Sequence, residues 1–189
     1  MEKKEYRAYI IAIGIATLIA GSAFFYKTML WKASISPPVV PVLGVPGSTH
    51  SHASLLVIVG ESAVDFCKPQ YMLRSQYVHF KDNNCLVVHK QATGVTLQTF
   101  FKTIGVELTN ACLAITPTDR HCINSANKLH VVINGADVPI ENLVYYELQN
   151  NDHILINYGP EEGVLLRFKY NQVPNVPVGI DESPTGPQL

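Results

Sequence analysis

Hydrophobic and polar positions change period several times along this chain, and each change marks an element. Residues 8–26 are an uncharged run dominated by Ile, Ala, Leu, Phe and Gly, with Lys3, Lys4 and Arg7 just before it. Nineteen helical residues reach about 28 Å at about 1.5 Å each, close to the thickness of a bilayer core, so the run predicts one transmembrane helix. The basic residues ahead of it favour a cytoplasmic N-terminus and hence a signal anchor. Ala20-Gly21-Ser22-Ala23 keeps a cleaved signal peptide open as the competing reading. Both readings export the rest of the chain, and the anchor reading predicts a single-pass protein of the cell membrane with its C-terminal domain extracytoplasmic.

Four segments follow. Residues 1–30 are the cytoplasmic stub and anchor. Residues 31–49, with Pro37, Pro38, Pro41 and Pro46, form a linker, because proline at that density blocks helix and favours an extended spacer. Residues 50–171 form the domain. Residues 172–189 hold Pro174, Pro177, Pro184 and Pro187 and read as a poorly ordered tail.

Within the domain, residues 53–59 are a continuous β-rich run stopped by Gly60-Glu61-Ser62, and residues 63–66 return beside it. Residues 77–80 and 86–89 predict a second hairpin around Lys81-Asp82-Asn83-Asn84. Residues 96–104 predict a helix, in which Leu97, Phe100, Phe101 and Ile104 fall at i, i+3, i+4 and i+7, Thr96 caps the start and Gly105 ends it. Residues 129–134 run into the tight-turn pair Asn134-Gly135, and residues 153–158 are the last core strand. The first strand is apolar on both faces, so residues 164–170 are expected to return along the second face or an edge as a further strand. The order of elements predicts an α+β fold that resembles the ubiquitin-like β-grasp, with the helix across one face of the sheet. A cupredoxin-like β-sandwich is the alternative.

Charge narrows the partners. A formal net charge of −1 and no stripe of Lys or Arg argue against nucleic acid. The lipid bilayer, through the anchor, and a membrane protein complex are the partners expected. No Gly-x-Ser-x-Gly elbow, phosphate-cradling glycine loop or His-Glu-x-x-His occurs, so no catalytic residue is assigned.

Candidate chemistry lies in the histidines and cysteines. His50 and His52 are two residues apart, so in an extended chain they point the same way. His79 and His89 sit on opposite arms of the second hairpin and share a face if the register is even. Imidazoles so arranged suit copper, with zinc as the alternative. Cys67 and Cys85 either pair with each other or stay free, in which case a thiolate could join that metal set. Cys112 and Cys122 bracket the loop after the helix and are expected to be bonded.

Several motifs resemble a group of membrane-anchored, exported, histidine-rich proteins of ammonia-oxidising archaea. They are His-x-His-Ala at 50–53, Asp65-Phe66, Tyr-Val-His-Phe at 77–80, Val-His-x-x-Ala-Thr-Gly-Val-Thr-Leu at 88–97 and Ile-Leu-Ile-Asn-Tyr-Gly ending at Gly159. Members are often labelled protein-disulfide isomerase, which implies thiol-disulfide exchange. Yet the chain has no Cys-x-x-Cys at a helix start, the spacing that lowers the pKa of an attacking thiol. The family pattern has His-x-His before Ala-Thr-Gly, where this chain has His89-Lys90-Gln91, one imidazole fewer. Cys112 and Cys122 match the family's cysteine pair, and Cys67 and Cys85 are additions to it.

The expectation is a non-catalytic accessory or binding module that holds copper through His50, His52, His79 and His89, with Cys67 or Cys85 as further donors. A metal-free interaction subunit, presenting Tyr145, Tyr146, Phe168 and Tyr170, and a thiol-disulfide oxidoreductase are the alternatives.

Overall fold

The computed structural model describes residues 13–14, 17–19, 21–22 and 39–180. The chain divides into two units, Met1–Val39 and Val40–Leu189. In the first, residues 13–14, 17–19 and 21–22 are helical, and the Thr17 hydroxyl donates to the carbonyls of Ile13 at 3.1 Å and Gly14 at 2.9 Å.

The second unit is built on a seven-stranded sheet. Its central strands are β1 (Ser51–Val59) and β10 (Asp152–Gly159), which run parallel, Leu55 beside Ile154 and Val57 beside Ile156. A parallel pair at the centre is covered on both faces, which is why β1 carries apolar residues without alternation. On one side β1 pairs antiparallel with β4 (Asn84–Lys90), and β4 with β3 (Val78–Lys81). On the other side β10 pairs with β8 (Lys128–Ile133), which carries the short β9 (Ala136–Asp137). The two-residue β2 (Ser62–Ala63) folds back on the end of β1. Asp82 and Asn83, and again Asn134 and Gly135, have φ between 51° and 82°. These pairs supply the left-handed conformation that two-residue hairpin turns require.

Helix α1 (Leu97–Thr103) begins where the Thr96 hydroxyl accepts the Thr99 N–H at 3.1 Å and stops before Gly105, whose φ is 75°. Its stripe of Leu97, Phe100, Phe101 and Ile104 is buried in one core with Leu55, Val57, Ile154 and Ile156. Each such side chain removed from water contributes about 1.5–3 kcal/mol, far more than the intrinsic helicity of seven residues. The opposite face of the sheet carries a smaller core, in which Leu56, Ile58, Val132 and Leu155 meet Leu166, Tyr170 and Val173.

The structure corrects the expected fold class. The unit is mostly β-sheet, neither the α+β β-grasp domain behind a transmembrane helix nor the cupredoxin-like sandwich. Its one helix on the main core is seven residues long, too short to form a layer. The segment read as a loop around Cys112 and Cys122 forms a second, three-stranded sheet from β5 (Glu107–Leu108), β6 (Cys112–Thr116) and β7 (Asp119–Cys122). Residues 164–170 do cover the second face, but as helix α2 (Gly163–Tyr170) rather than a strand. Leu166, Tyr170 and Val173 recur at i, i+4 and i+7, a helical spacing. The buried Lys169 ties the helix down by donating to the Gly60 carbonyl at 2.5 Å and to Glu161 at 2.6 Å.

The membrane reading is corrected as well. Among the described residues no helix is long and apolar enough to cross a membrane, so single-pass anchoring and the localisation built on it are not supported. Most of residues 8–26, the start of the linker at 31–38 and the end of the tail at 181–189 lie outside the described residues.

Candidate metal centre

The site starts from a backbone clamp. Gly44 donates its N–H to the Thr93 carbonyl at 2.9 Å, Gly47 donates to Gln91 at 2.7 Å, and the Ser48 hydroxyl accepts the Thr93 N–H at 3.0 Å. These bonds fix residues 44–48 against the loop after β4 and deliver His50 to the head of β1. The next histidine is held from both sides. The His52 N–H reaches the Asn150 side-chain oxygen at 3.0 Å, and the His52 carbonyl accepts the Asn151 N–H at 2.7 Å.

Register then does what sequence spacing cannot. His52 on β1 stands directly opposite His89 on β4, and His89 directly opposite His79 on β3. One row of imidazoles thus crosses three adjacent strands on a single face. His52 Nε2 and His89 Nδ1 are 3.1 Å apart, with ring centroids 4.6 Å apart and the rings at 89°. The His50 ring lies 4.9 Å from that of His52. His50 is exposed, while His52 is 8% and His89 1% exposed. One ligand nitrogen from each of His50, His52 and His89 falls within 4.8 Å of the others. Metal–nitrogen bonds of about 2.0–2.1 Å place such nitrogens roughly 3.3–3.6 Å apart around one ion. The buried pair, at 3.1 Å, is a few tenths of an ångström tighter than that spacing and has only to open slightly to take an ion.

His79 belongs to the row but not to the converging set. Its ring stacks on that of His89 at 6.0 Å and 12°, and its Nδ1 lies 2.8 Å from the Ser75 carbonyl. That bond assigns the proton to Nδ1, since a carbonyl only accepts, and leaves Nε2 as the basic nitrogen of the neutral ring.

Of the two states left open for Cys67 and Cys85, the structure shows the paired one. Cys67 and Cys85 are bonded to each other, with Cα atoms 4.9 Å apart, so neither offers a thiolate to the histidines. Cys112 and Cys122 are bonded as expected, Cα to Cα 4.0 Å, as opposed partners of β6 and β7. His121 and His130 pair with carboxylates, Asp119 at 2.7 Å and Asp137 at 2.9 Å. Asn150, Asn151 and Ser75 orient the row and are not among the site residues expected from the sequence. Their only signal was turn chemistry around Asn150-Asn151 and a serine four residues before His79.

Two polar networks hold the surrounding frame rigid. Lys90, next to His89, donates to Glu147 and to the Leu148 carbonyl, each at 2.6 Å. The Lys90 hydrogen bond, aided by the Gly94 N–H, keeps the Glu147 carboxyl below the usual carboxylate range against the opposing effect of burial. Asp152 accepts from Asn134, Tyr146 and the Gln149 N–H, and burial together with that carboxylate pushes the Tyr146 phenol well up.

Compared with family models, with curated proteins and with solved structures, the chain matches none.

Proposed function

We propose that this domain is a metal-binding module that takes one copper ion at His50, His52 and His89. The observation that carries the reading is the convergence of three imidazole nitrogens within 4.8 Å, two of them on neighbouring, fully paired strands. Neutral imidazoles suit copper and zinc, and at a site of fixed geometry copper(II) outcompetes zinc. A three-histidine set leaves a coordination position open to solvent or to a partner's ligand. His79 stands one strand away with its basic nitrogen set by Ser75, placed to steady the stacked His89 ring. The role read for the module is a non-catalytic accessory or binding one.

The test is copper titration of the purified full chain, read by metal analysis after gel filtration and by electron paramagnetic resonance. The expected result is one copper per chain with nitrogen hyperfine structure, weakened at least tenfold in His50→Ala and lost in His89→Ala. His50 is exposed, so its variant folds and keeps the test decisive if the buried substitution does not. Substoichiometric copper that is the same in wild type and His50→Ala overturns the reading.

A second reading, an interaction subunit, draws on helix α2. Val164, Leu165 and Phe168 on it are 84%, 64% and 67% exposed, an apolar group turned away from the core. Tyr170 and Tyr146 are committed to the fold and add little to such a surface. Cross-linking in cells that recovers only the monomer counts against it.

A further inference from the structure

The Cys67–Cys85 bond lies beside a third ligand. Asp65 is exposed, and one of its carboxylate oxygens accepts the Cys67 N–H at 2.8 Å, which folds the acid back over the cysteine. That carboxylate and the two sulfurs lie within 4.8 Å of one another. No comparable donor completes the Cys112–Cys122 pair among the described residues. The three ligands are also held independently of the bond between the sulfurs. Phe66, between Asp65 and Cys67, is 2% exposed and packs its ring on Tyr71 at 5.1 Å and on Phe80 at 5.7 Å. Cys85 is the second residue of β4, fixed by the sheet.

We propose that the Cys67–Cys85 disulfide is the oxidised form of a zinc site that Asp65 completes. A dithiol reductant breaks the sulfur–sulfur bond, giving its two hydrogens to the Cys67 and Cys85 thiols and closing its own disulfide, a two-electron exchange that balances. Zinc then binds as each thiol releases its proton to solvent, forming two zinc–sulfur bonds and one zinc–oxygen bond to Asp65, with water in the fourth position. Two thiolates with a hard carboxylate favour zinc over copper(I), which prefers sulfur alone. Phe66 and β4 keep the ligands in place across the change, so reduction converts a covalent clamp into a metal clamp rather than freeing the loop. The site shares no ligand with the histidine row.

The test uses the full chain, oxidised or treated with a dithiol that is then removed anaerobically, and loaded with zinc or cobalt(II). His50→Ala serves as the background, and zinc is kept at a concentration at which the weakened histidine site stays empty. The expected result is one zinc retained per reduced chain and none by the oxidised chain, with a thiolate-to-cobalt charge-transfer band in the cobalt form. Asp65→Asn, at an exposed position that does not threaten folding, weakens zinc at least tenfold, and Cys67→Ser abolishes the band. Equal zinc in the oxidised and reduced chains, or a band that persists in Cys67→Ser, overturns the proposal.

Discussion

His52 and His89 are opposed across β1 and β4 with their facing nitrogens 3.1 Å apart, at hydrogen-bonding distance and slightly closer than two ligands on one ion. In the metal-free protein one ring must donate and the other accept, so the pair contributes to folding as well as to any metal site. The two side chains should therefore couple. His52→Leu and His89→Leu each remove half of a buried hydrogen bond, and the double variant should be less destabilised than the sum of the singles by about 1 kcal/mol. A double-mutant cycle by urea unfolding measures this directly, and strict additivity would show that the two rings act independently.

The segment before β1 positions His50, and Gly94 is its weak point. Gly94 has φ of 73°, and a side-chain carbon there would overlap the Val42 carbonyl. Gly94→Ala cannot relax by moving a flexible side chain, since the obstruction is backbone. It should cost about 1–2 kcal/mol from the left-handed conformation alone, and more from displacing residues 42–47. Copper affinity should fall with it although every histidine remains, because His50 loses its tether. Retention of wild-type affinity in a folded Gly94→Ala protein would show that the tether plays no part.

Local chemistry was legible in the sequence and long-range pairing was not. The α1 stripe and its Thr96 cap can be read because both lie within one helical repeat. The hairpin that carries His79 and His89 can be read from its turn at Asp82-Asn83, but their direct opposition cannot, because the register shifts between Lys81 and His79. That the two histidine pairs meet depends on β4 lying beside β1, a pairing between residues 37 positions apart that no local pattern encodes. Residues 164–170 were misread because Val164, Leu165 and Phe168 look like core while the buried polar residue is Lys169. The Cys112–Cys122 segment was read as a loop because its strands β6 and β7 are short and their outward positions polar.

The disulfide between β6 and β7 closes a span of 10 residues. Closing a loop of that size in the unfolded chain corresponds to about 3 kcal/mol. Cys112→Ala/Cys122→Ala should lose stability of that order, seen as a lower urea midpoint with an unchanged slope. Because the three-stranded sheet shares no pairing with the main one, the histidine row should keep its copper affinity. A parallel loss of binding would indicate coupling between the two sheets.

Acid stability should trace to Glu161. Burial raises the pKa of its carboxyl, but the hydrogen bonds from Lys169 and Asn157 outweigh that and hold it at about 2, against an ordinary 4.5. A carboxyl with a depressed folded-state pKa stabilises the fold at pH values above the ordinary value. That contribution is lost as pH falls from about 4.5 towards about 2, because only the unfolded chain takes up the proton over that interval. The shift corresponds to at most ~3 kcal/mol. Glu161→Gln should destabilise the domain near neutral pH, since Lys169 keeps a buried charge without its partner, and should flatten the dependence between pH 4.5 and 2. Glu147, lowered by Lys90, supplies the slope that remains. Gly159→Ala provides an independent check, because a methyl group there would press on the Glu161 Oε2 that accepts from Asn157 and displace the carboxylate from its hydrogen bonds. Urea unfolding at a series of pH values measures all three proteins, and an unchanged acid slope in Glu161→Gln would assign the sensitivity elsewhere.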